Sequence, residues 1–236
     1  MKIEGIVFDL DGVICSTDEY HYLAWKALAD DIGVYFDRKI NDRMRGVSRM
    51  QSLEILLERS SVVYSEQQKL ALADRKNELY RQSLAKMTPG DLPRAVGETL
   101  DELRRRGYLL AIGSSSKNAS CILERIGLKG YFDAVSDGNG LRRSKPDPEV
   151  FLRAADMLKL VPAACLVVED AVPGTEAGFA AGMKVACVGN AAEHGAGDFN
   201  LSKFSELSEL LKRNPDAEPM GDNGNFKASS ERRRHL

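Results

Sequence analysis

Two acids stand close together at the end of an apolar run, where Ile6-Val7-Phe8 leads into Asp9-Leu10-Asp11-Gly12. A carboxylate that ends a buried strand is costly unless something uses it. Two that repel each other need a cation or a shared proton. A carboxylate is ionised at neutral pH without help, so one of the pair can act as a nucleophile while its neighbour carries a proton. The plain alternative is a strand followed by an Asp-rich turn. Further along, Leu109–Ile112 runs into Gly113-Ser114-Ser115-Ser116-Lys117-Asn118. Hydroxyls and free amides at such a place suit phosphate, or simply cap a helix. Lys145 precedes Pro146, which keeps it in extended backbone, and taken alone it reads as a surface lysine. Leu166-Val167-Val168 ends in Glu169-Asp170, a second acidic pair. It can cap a helix or offer hard oxygens to Mg²⁺, which keeps most of its waters. Acid, hydroxyl, lysine and acidic pair, each at or near a strand end, fit phosphoryl transfer better than four unrelated turns.

Those residues need elements that bring strand ends together. Ile6-Val7-Phe8 is unbroken by polar residues, as in a parallel strand covered on both faces, and Gly12 permits a sharp turn. Asp18 can cap a helix through Ile32, with Leu23, Ala24, Ala27, Leu28 and Ile32 on one face and Gly33 at its end. Ser48 starts another, with Leu53, Leu56 and Leu57 inward. The capping box Ser65-Glu66-Gln67-Gln68 opens a long helix to about Met87. No convincing strand interrupts this stretch, and Pro89-Gly90-Asp91-Leu92-Pro93 closes it as a linker. Strict alternation follows. Helices are expected over Val96–Arg106, Lys117–Ile126, Asp147-Pro148 to Lys159, a segment ending at Gly182, and Ser205–Arg213. Strands are expected over Tyr108–Ile112, Ala134-Val135, Cys165–Val168 and Lys184–Val188. The reading is an α/β protein with a parallel-sheet core from 1–14 and 89–213 and an all-helical insertion over 15–88. The Gly/Asn/Ser segment 214–236 is expected to be a disordered tail.

The totals exclude several classes. The 236 residues, 43% of them hydrophobic, suffice for one large α/β domain or a core with an insertion. A net charge of -2 and a pI of about 6.0 leave no electrostatic footprint for nucleic acid or an anionic membrane. Cys15, Cys121, Cys165 and Cys187 are scattered, with no C-x-x-C pair, as expected of reduced thiols in the cytoplasm. Neither a signal peptide nor a run of membrane-spanning length is evident, and a monomer is the expected state.

On Asp9-Leu10-Asp11-Gly12, Ser114, Lys145 and Glu169-Asp170 the chain resembles the haloacid dehalogenase (HAD) superfamily of phosphoryl-transfer enzymes. The resemblance implies a HAD-like Rossmannoid parallel-sheet core with an inserted all-helical cap. Likeness to the sugar-phosphate mutases of that family extends to about Leu211. It rests on Glu19-Tyr20-His21, Ala24-Trp25-Lys26-Ala27-Leu28, Gly46-Val47-Ser48-Arg49, Ser52, Arg75-Lys76-Asn77 and Ser116-Lys117-Asn118. Three departures are Arg45, where a lysine is usual, the Gly-rich loop Ser136–Arg143, and the tail beyond Arg213, which has no counterpart in the family.

What the resemblance implies can be set out residue by residue. Asp9 is the nucleophile that becomes an aspartyl phosphate, and Asp11 the general acid and base. Ser114 and Lys145 bind the transferring phosphoryl group. Mg²⁺ is held by Asp9, the Asp11 backbone carbonyl, Glu169 and Asp170. Substrate binding falls to His21, Trp25, Gly46, Val47, Ser48, Arg49, Ser52, Lys76, Ser115 and Asn118. Arg49 is suited to grip the non-reacting phosphate, His21 lies near Asp11 with Lys76 beside it, and Trp25 reads mainly as cap packing. The implied reaction moves phosphate between C1 and C6 of beta-glucose, with beta-glucose 1,6-bisphosphate as activator and intermediate. The alternative is a phosphatase acting on a sugar phosphate or other small phosphate ester. A phosphate-binding module without catalysis is disfavoured because every motif residue is present.

Overall fold

Apolar runs too short to be helices, each followed by a helical segment that carries the chain back, can pair only in parallel. The computed structural model describes residues 2–44 and 47–213, and the tail beyond residue 213 lies outside them. Gly5–Phe8 (β1), Leu109–Gly113 (β2), Ala134–Ser136 (β3), Cys165–Glu169 (β4), Lys184–Cys187 (β5) and Phe199–Asn200 (β6) form one parallel sheet. The strand order is β3-β2-β1-β4-β5-β6. The sequence reading lacked β6, whose two residues are too few for an alternation to show.

The chain builds outward from β1 through β2 to β3, then crosses back to β4 on the other side of β1. This reversal puts a crevice at the carboxyl ends of the central strands. Phe8 stands opposite both Ile112 and Val168. The next residues, Asp9, Gly113 and Glu169, therefore leave three adjacent strands at one level.

Four helices lie between β1 and the rest of the sheet in sequence: α1 (Asp18–Asp31), α2 (Arg38–Asp42), α3 (Arg49–Leu57) and α4 (Glu66–Leu84). Both predicted Ser caps, Ser48 and Ser65, are present as full capping boxes. In α1, Thr17 rather than Asp18 takes the N-cap position, and Leu23 is exposed. The inward residues are Ala24, Trp25, Leu28 and Ala29, so the apolar stripe is rotated towards the large Trp25 ring. After β1–α4 come α5 (Arg94–Arg105), α6 (Ala119–Arg125), α7 (Glu149–Leu158), α8 (Val172–Ala180), α9 (Gly189–Glu193) and α10 (Glu206–Arg213). Helix α6 starts two residues later than expected. Ser114 Oγ accepts from Ser116 N and Ser116 Oγ from Asn118 N, and these local turns keep the loop out of the helix.

Alternation along the strands divides the core. Ile6, Phe8, Leu110, Ile112, Leu166 and Val168 pack on one face, while Val7, Ala111, Val167 and Val185 pack on the other. A third cluster, with Trp25, Leu28, Leu53, Leu56 and Ala73, holds α1, α3 and α4 together. Tyr80 and Leu84 of α4 join the first cluster, so that helix packs on both. Among the described residues no helix is long and apolar enough to cross a membrane.

Candidate active site

The crevice is organised around a buried cation. Asp9 follows the last residue of β1, and its backbone N–H donates to Val168 O at 2.9 Å. Lys145 Nζ lies 2.5 Å from Asp9 Oδ1 and 2.5 Å from Glu169 Oε1. It is 2% exposed, with its ammonium 4.7 Å from the centre of the Phe151 ring, so it is not the surface lysine its isolated context suggests. The Lys145–Pro146 peptide bond is cis. Burial alone would lower the pKa of Lys145, but Asp9 and Glu169 on either side hold it well above the usual lysine range. Burial pushes Asp9 up to about 7, against the opposing pull of Lys145.

Glu169 is engaged on both oxygens. Its Oε2 accepts from Asp170 N and Ala171 N at 2.8 and 2.9 Å, while Oε1 meets Lys145. A Cβ on Gly174 would lie 1.8 Å from Glu169 Oε1, so only glycine leaves room for this carboxylate. Asp170 folds against the acidic turn so closely that a Cβ on Gly12 (φ +88°) would lie 2.1 Å from its Oδ2.

Among the described residues no three His, Cys, Asp or Glu side chains form a group that could hold a metal ion. Of the ligand set expected from sequence, which includes the Asp11 main-chain carbonyl, Glu169 already bonds Lys145 and two backbone amides. Asp9 and Asp170 remain. Burial, then Glu169 and Asp9, pushes Asp170 up to about 8. A buried and a half-buried acid that both resist ionisation fit a hard divalent cation, and Mg²⁺ needs only one or two carboxylates beside substrate oxygens and water.

Asp11 has a different environment. Burial brings it up to about 6, opposed by a hydrogen bond from Thr17 Oγ1 to Asp11 Oδ1. The sequence carries no sign of this role for Thr17, since Asp18 beside it is the more obvious helix cap. Nearby, Lys76 Nζ lies 2.8 Å from His21 Nδ1. When Lys76 is charged its ammonium can only donate, so Nδ1 then accepts and the imidazole is neutral. Burial, then Lys76 and Arg49, holds the His21 pKa well below the usual histidine range. Lys76 is itself brought down to about 7, by burial and then by Arg49. Its ammonium sits 4.8 Å from the Trp25 ring centre and 4.6 Å from that of Tyr80, and Tyr80 stacks on His21 at 4.1 Å. Trp25, 2% exposed, packs in the helical cluster and forms a wall for Lys76.

A third group joins helices to core. Arg49 Nη2 donates to Asn77 Oδ1 at 2.8 Å, and Asn118 Nδ2 donates to the same oxygen at 2.9 Å. Asn77 and Tyr80 were not among the predicted site residues. The available signal was the α4 stripe Ala73, Lys76, Tyr80, Leu84, where a lysine takes an inward position among apolar neighbours. Ser114 is buried, with its N–H donating to Ser136 O at 2.9 Å. Ser115 Oγ is buried with no hydrogen-bond partner among the described residues, so it is open to a ligand oxygen. Ser48 is occupied by its capping box, Ser52 is buried in α3, and Val47 is half-buried. Gly46 and Arg45 lie outside the described residues. The whole arrangement offers one carboxylate clamped by a cation and a second bonded to a hydroxyl, with the Lys76 ammonium close enough to act on the second. That set can transfer an anionic group and move a proton.

Known proteins share this arrangement of sequence. The family described as haloacid dehalogenase-like hydrolase matches residues 3–182. The chain is 40% identical to the beta-phosphoglucomutase of Bacillus subtilis over 212 residues, covering 89% of this chain and 94% of that protein. It is also 30% identical over 185 residues to the phosphorylated carbohydrates phosphatase of Thermotoga maritima, covering 77% and 83%. Among solved structures, the beta-phosphoglucomutase of Clostridium difficile superposes with a TM-score of 0.83 at 33% identity, covering 89% of this chain and 96% of that one.

Proposed function

The chain belongs to the haloacid dehalogenase-like hydrolase family, and from that premise we propose that it works as a beta-phosphoglucomutase. It would interconvert beta-D-glucose 1-phosphate and 6-phosphate through beta-glucose 1,6-bisphosphate, as a monomer in the cytoplasm. Four unpaired cysteines suit that compartment. The observation that carries the proposal is the unequal setting of two aspartates at one strand end. Asp9 is clamped by the Lys145 ammonium, while Asp11 takes a hydrogen bond from the neutral Thr17 hydroxyl.

Lys145 holds Asp9 Oδ1, which leaves Oδ2 to attack phosphorus. The Asp9–phosphorus bond forms as the sugar oxygen–phosphorus bond breaks, and Asp11 gives its proton to the departing oxygen. In the second half the incoming sugar hydroxyl returns that proton to Asp11 as its oxygen takes the phosphoryl group. Ser114 and Lys145 balance charge on the transferring oxygens. Glu169 keeps Lys145 in place. Asp9, Asp170 and the Asp11 main-chain carbonyl would hold Mg²⁺, which when bound neutralises the approach of one anion to another. Residues 15–88 act as the cap that excludes water, with Arg49 and Asn118 gripping the phosphate that is not reacting. His21 and Lys76 line the sugar side.

A phosphatase would use the same core, and the likeness to a carbohydrate phosphatase favours that as the second reading. The deciding assay offers beta-glucose 1-phosphate with a trace of bisphosphate primer and follows glucose 6-phosphate and free phosphate. Faster release of phosphate than of glucose 6-phosphate overturns the mutase reading. Arg49→Ala should lower mutase turnover roughly 30-fold or more, the worth of a charged hydrogen bond of about 2 kcal/mol. Hydrolysis of a small acyl phosphate should largely survive.

A further inference from the structure

Asn77 Oδ1 accepts two hydrogen bonds, from Arg49 Nη2 at 2.8 Å and from Asn118 Nδ2 at 2.9 Å. An amide oxygen has two lone pairs, so both are used. Its donors come from separate parts of the molecule, Arg49 at the start of α3 and Asn118 at the N-cap position of α6. Helix α4, which carries Asn77, packs between them against both. These are also the two side chains that the proposed function assigns to the non-reacting phosphate. At this junction one neutral oxygen takes the place of an oxygen of an anion.

Charge supports the same conclusion. Arg49 is half-buried and makes no ion pair among the described residues. Burial disfavours its charge, with Asp74 as the compensating carboxylate. Its neighbour Lys76, buried beside Asn77 in sequence, adds to that cost, and Asp11 is the acid acting on it. A guanidinium held by a neutral amide is under-compensated, and a phosphate oxygen makes a bond about twice as strong. Exchange of the amide oxygen for phosphate is therefore favourable, whereas a carboxylate at this position would resist it.

We infer that Asn77 is an internal stand-in for the second phosphate of the substrate, holding the donors Arg49 and Asn118 together until a phosphate oxygen displaces it. The inference rests on the proposed function. Asn77 is a positioning residue. It keeps the two phosphate donors converged before substrate arrives, and it sets how easily they are released to the ligand.

The test is isothermal titration of the full-length protein with glucose 6-phosphate at fixed ionic strength, for the parent, Asn77→Ala, Asn77→Ser and Asn77→Asp. Removal of the competing acceptor should tighten binding roughly three- to tenfold in the Ala variant, the worth of about one neutral hydrogen bond. The Ser variant, too short to reach both donors, should shift the same way and serves if the Ala variant does not fold. The Asp variant should weaken binding tenfold or more, because its charge pairs with Arg49 and repels phosphate. A merely structural role for Asn77 predicts weaker binding in all three. That result, or no change in any of them, overturns the inference while leaving the proposed function standing. If the parent itself does not bind glucose 6-phosphate, the assignment of Arg49 and Asn118 to phosphate fails, and the stand-in fails with it.

Discussion

Lys76 keeps an ammonium where the fold disfavours charge, so replacing it should stabilise the protein. The side chain is 3% exposed, and burial, with Arg49 second, brings its pKa from 10.5 to about 7. A base with a depressed folded pKa destabilises the fold fully below that value, and the penalty is relieved as pH rises from about 7 to 10.5. At about 1.36 kcal/mol per pH unit the full penalty is roughly 5 kcal/mol, of which about 4 kcal/mol acts at pH 7. Against it stand the bond to His21 and the two ring contacts with Trp25 and Tyr80, together about 2 kcal/mol. Lys76→Met keeps the length of the side chain and offers a thioether to the same rings. The variant should therefore be more stable by about 2 kcal/mol at pH 7, which is roughly 4–8 °C in Tm for a chain of this size. Urea and thermal unfolding at pH 7 and at pH 10 measure it, and the gain should vanish or reverse at the higher pH. Turnover should fall, since the cation beside His21 and Asp11 is gone. A variant less stable than the parent at pH 7, or a gain equal at both pH values, would refute the reasoning.

Lys145→Met should do the opposite, costing about 3–5 kcal/mol in urea unfolding, because Asp9 and Glu169 then face each other without their cation. Gly174→Ala, a change that would ordinarily stabilise a helix, should cost about 1–3 kcal/mol in the same experiment, since the new Cβ meets a Glu169 carboxylate that Lys145 and two amides hold fast. Asp11→Asn should slow turnover by roughly a hundredfold or more and remove the limb near pH 6 from the pH–rate profile, whereas Asp9→Asn should abolish turnover. Asp9, Asp11 and Asp170 all have raised folded pKa values, so the native state holds protons the unfolded chain has lost. Stability of the metal-free protein should therefore fall as pH rises from about 4 to about 8, and Mg²⁺ should raise Tm more at pH 8 than at pH 5.

Local chemistry made much of this protein readable in its sequence. An unbroken β-branched and aromatic run marks β1, and Ser48 and Ser65 with their glutamines mark two helix starts, because each signal acts within a turn or two of chain. The acidic turn, the Ser-rich loop and the second acidic pair were legible for the same reason, each being residue types fixed at a strand end. What the sequence does not carry is which distant segments meet. Lys145 looks solvated beside Pro146, and only the order β2-β1-β4 brings its ammonium between Asp9 and Glu169. Glu169 reads in the sequence as one half of an acidic pair, and only the structure shows Lys145 on one of its oxygens and the first amides after β4 on the other. Thr17 and Asn77 are unremarkable polar residues on their own helices. They matter because packing sets one against Asp11 and the other between Arg49 and Asn118. Propensity and periodicity are properties of neighbouring residues, whereas burial, charge pairing and the pKa values that follow depend on atoms contributed by remote parts of the chain, and only the packed structure sets those distances.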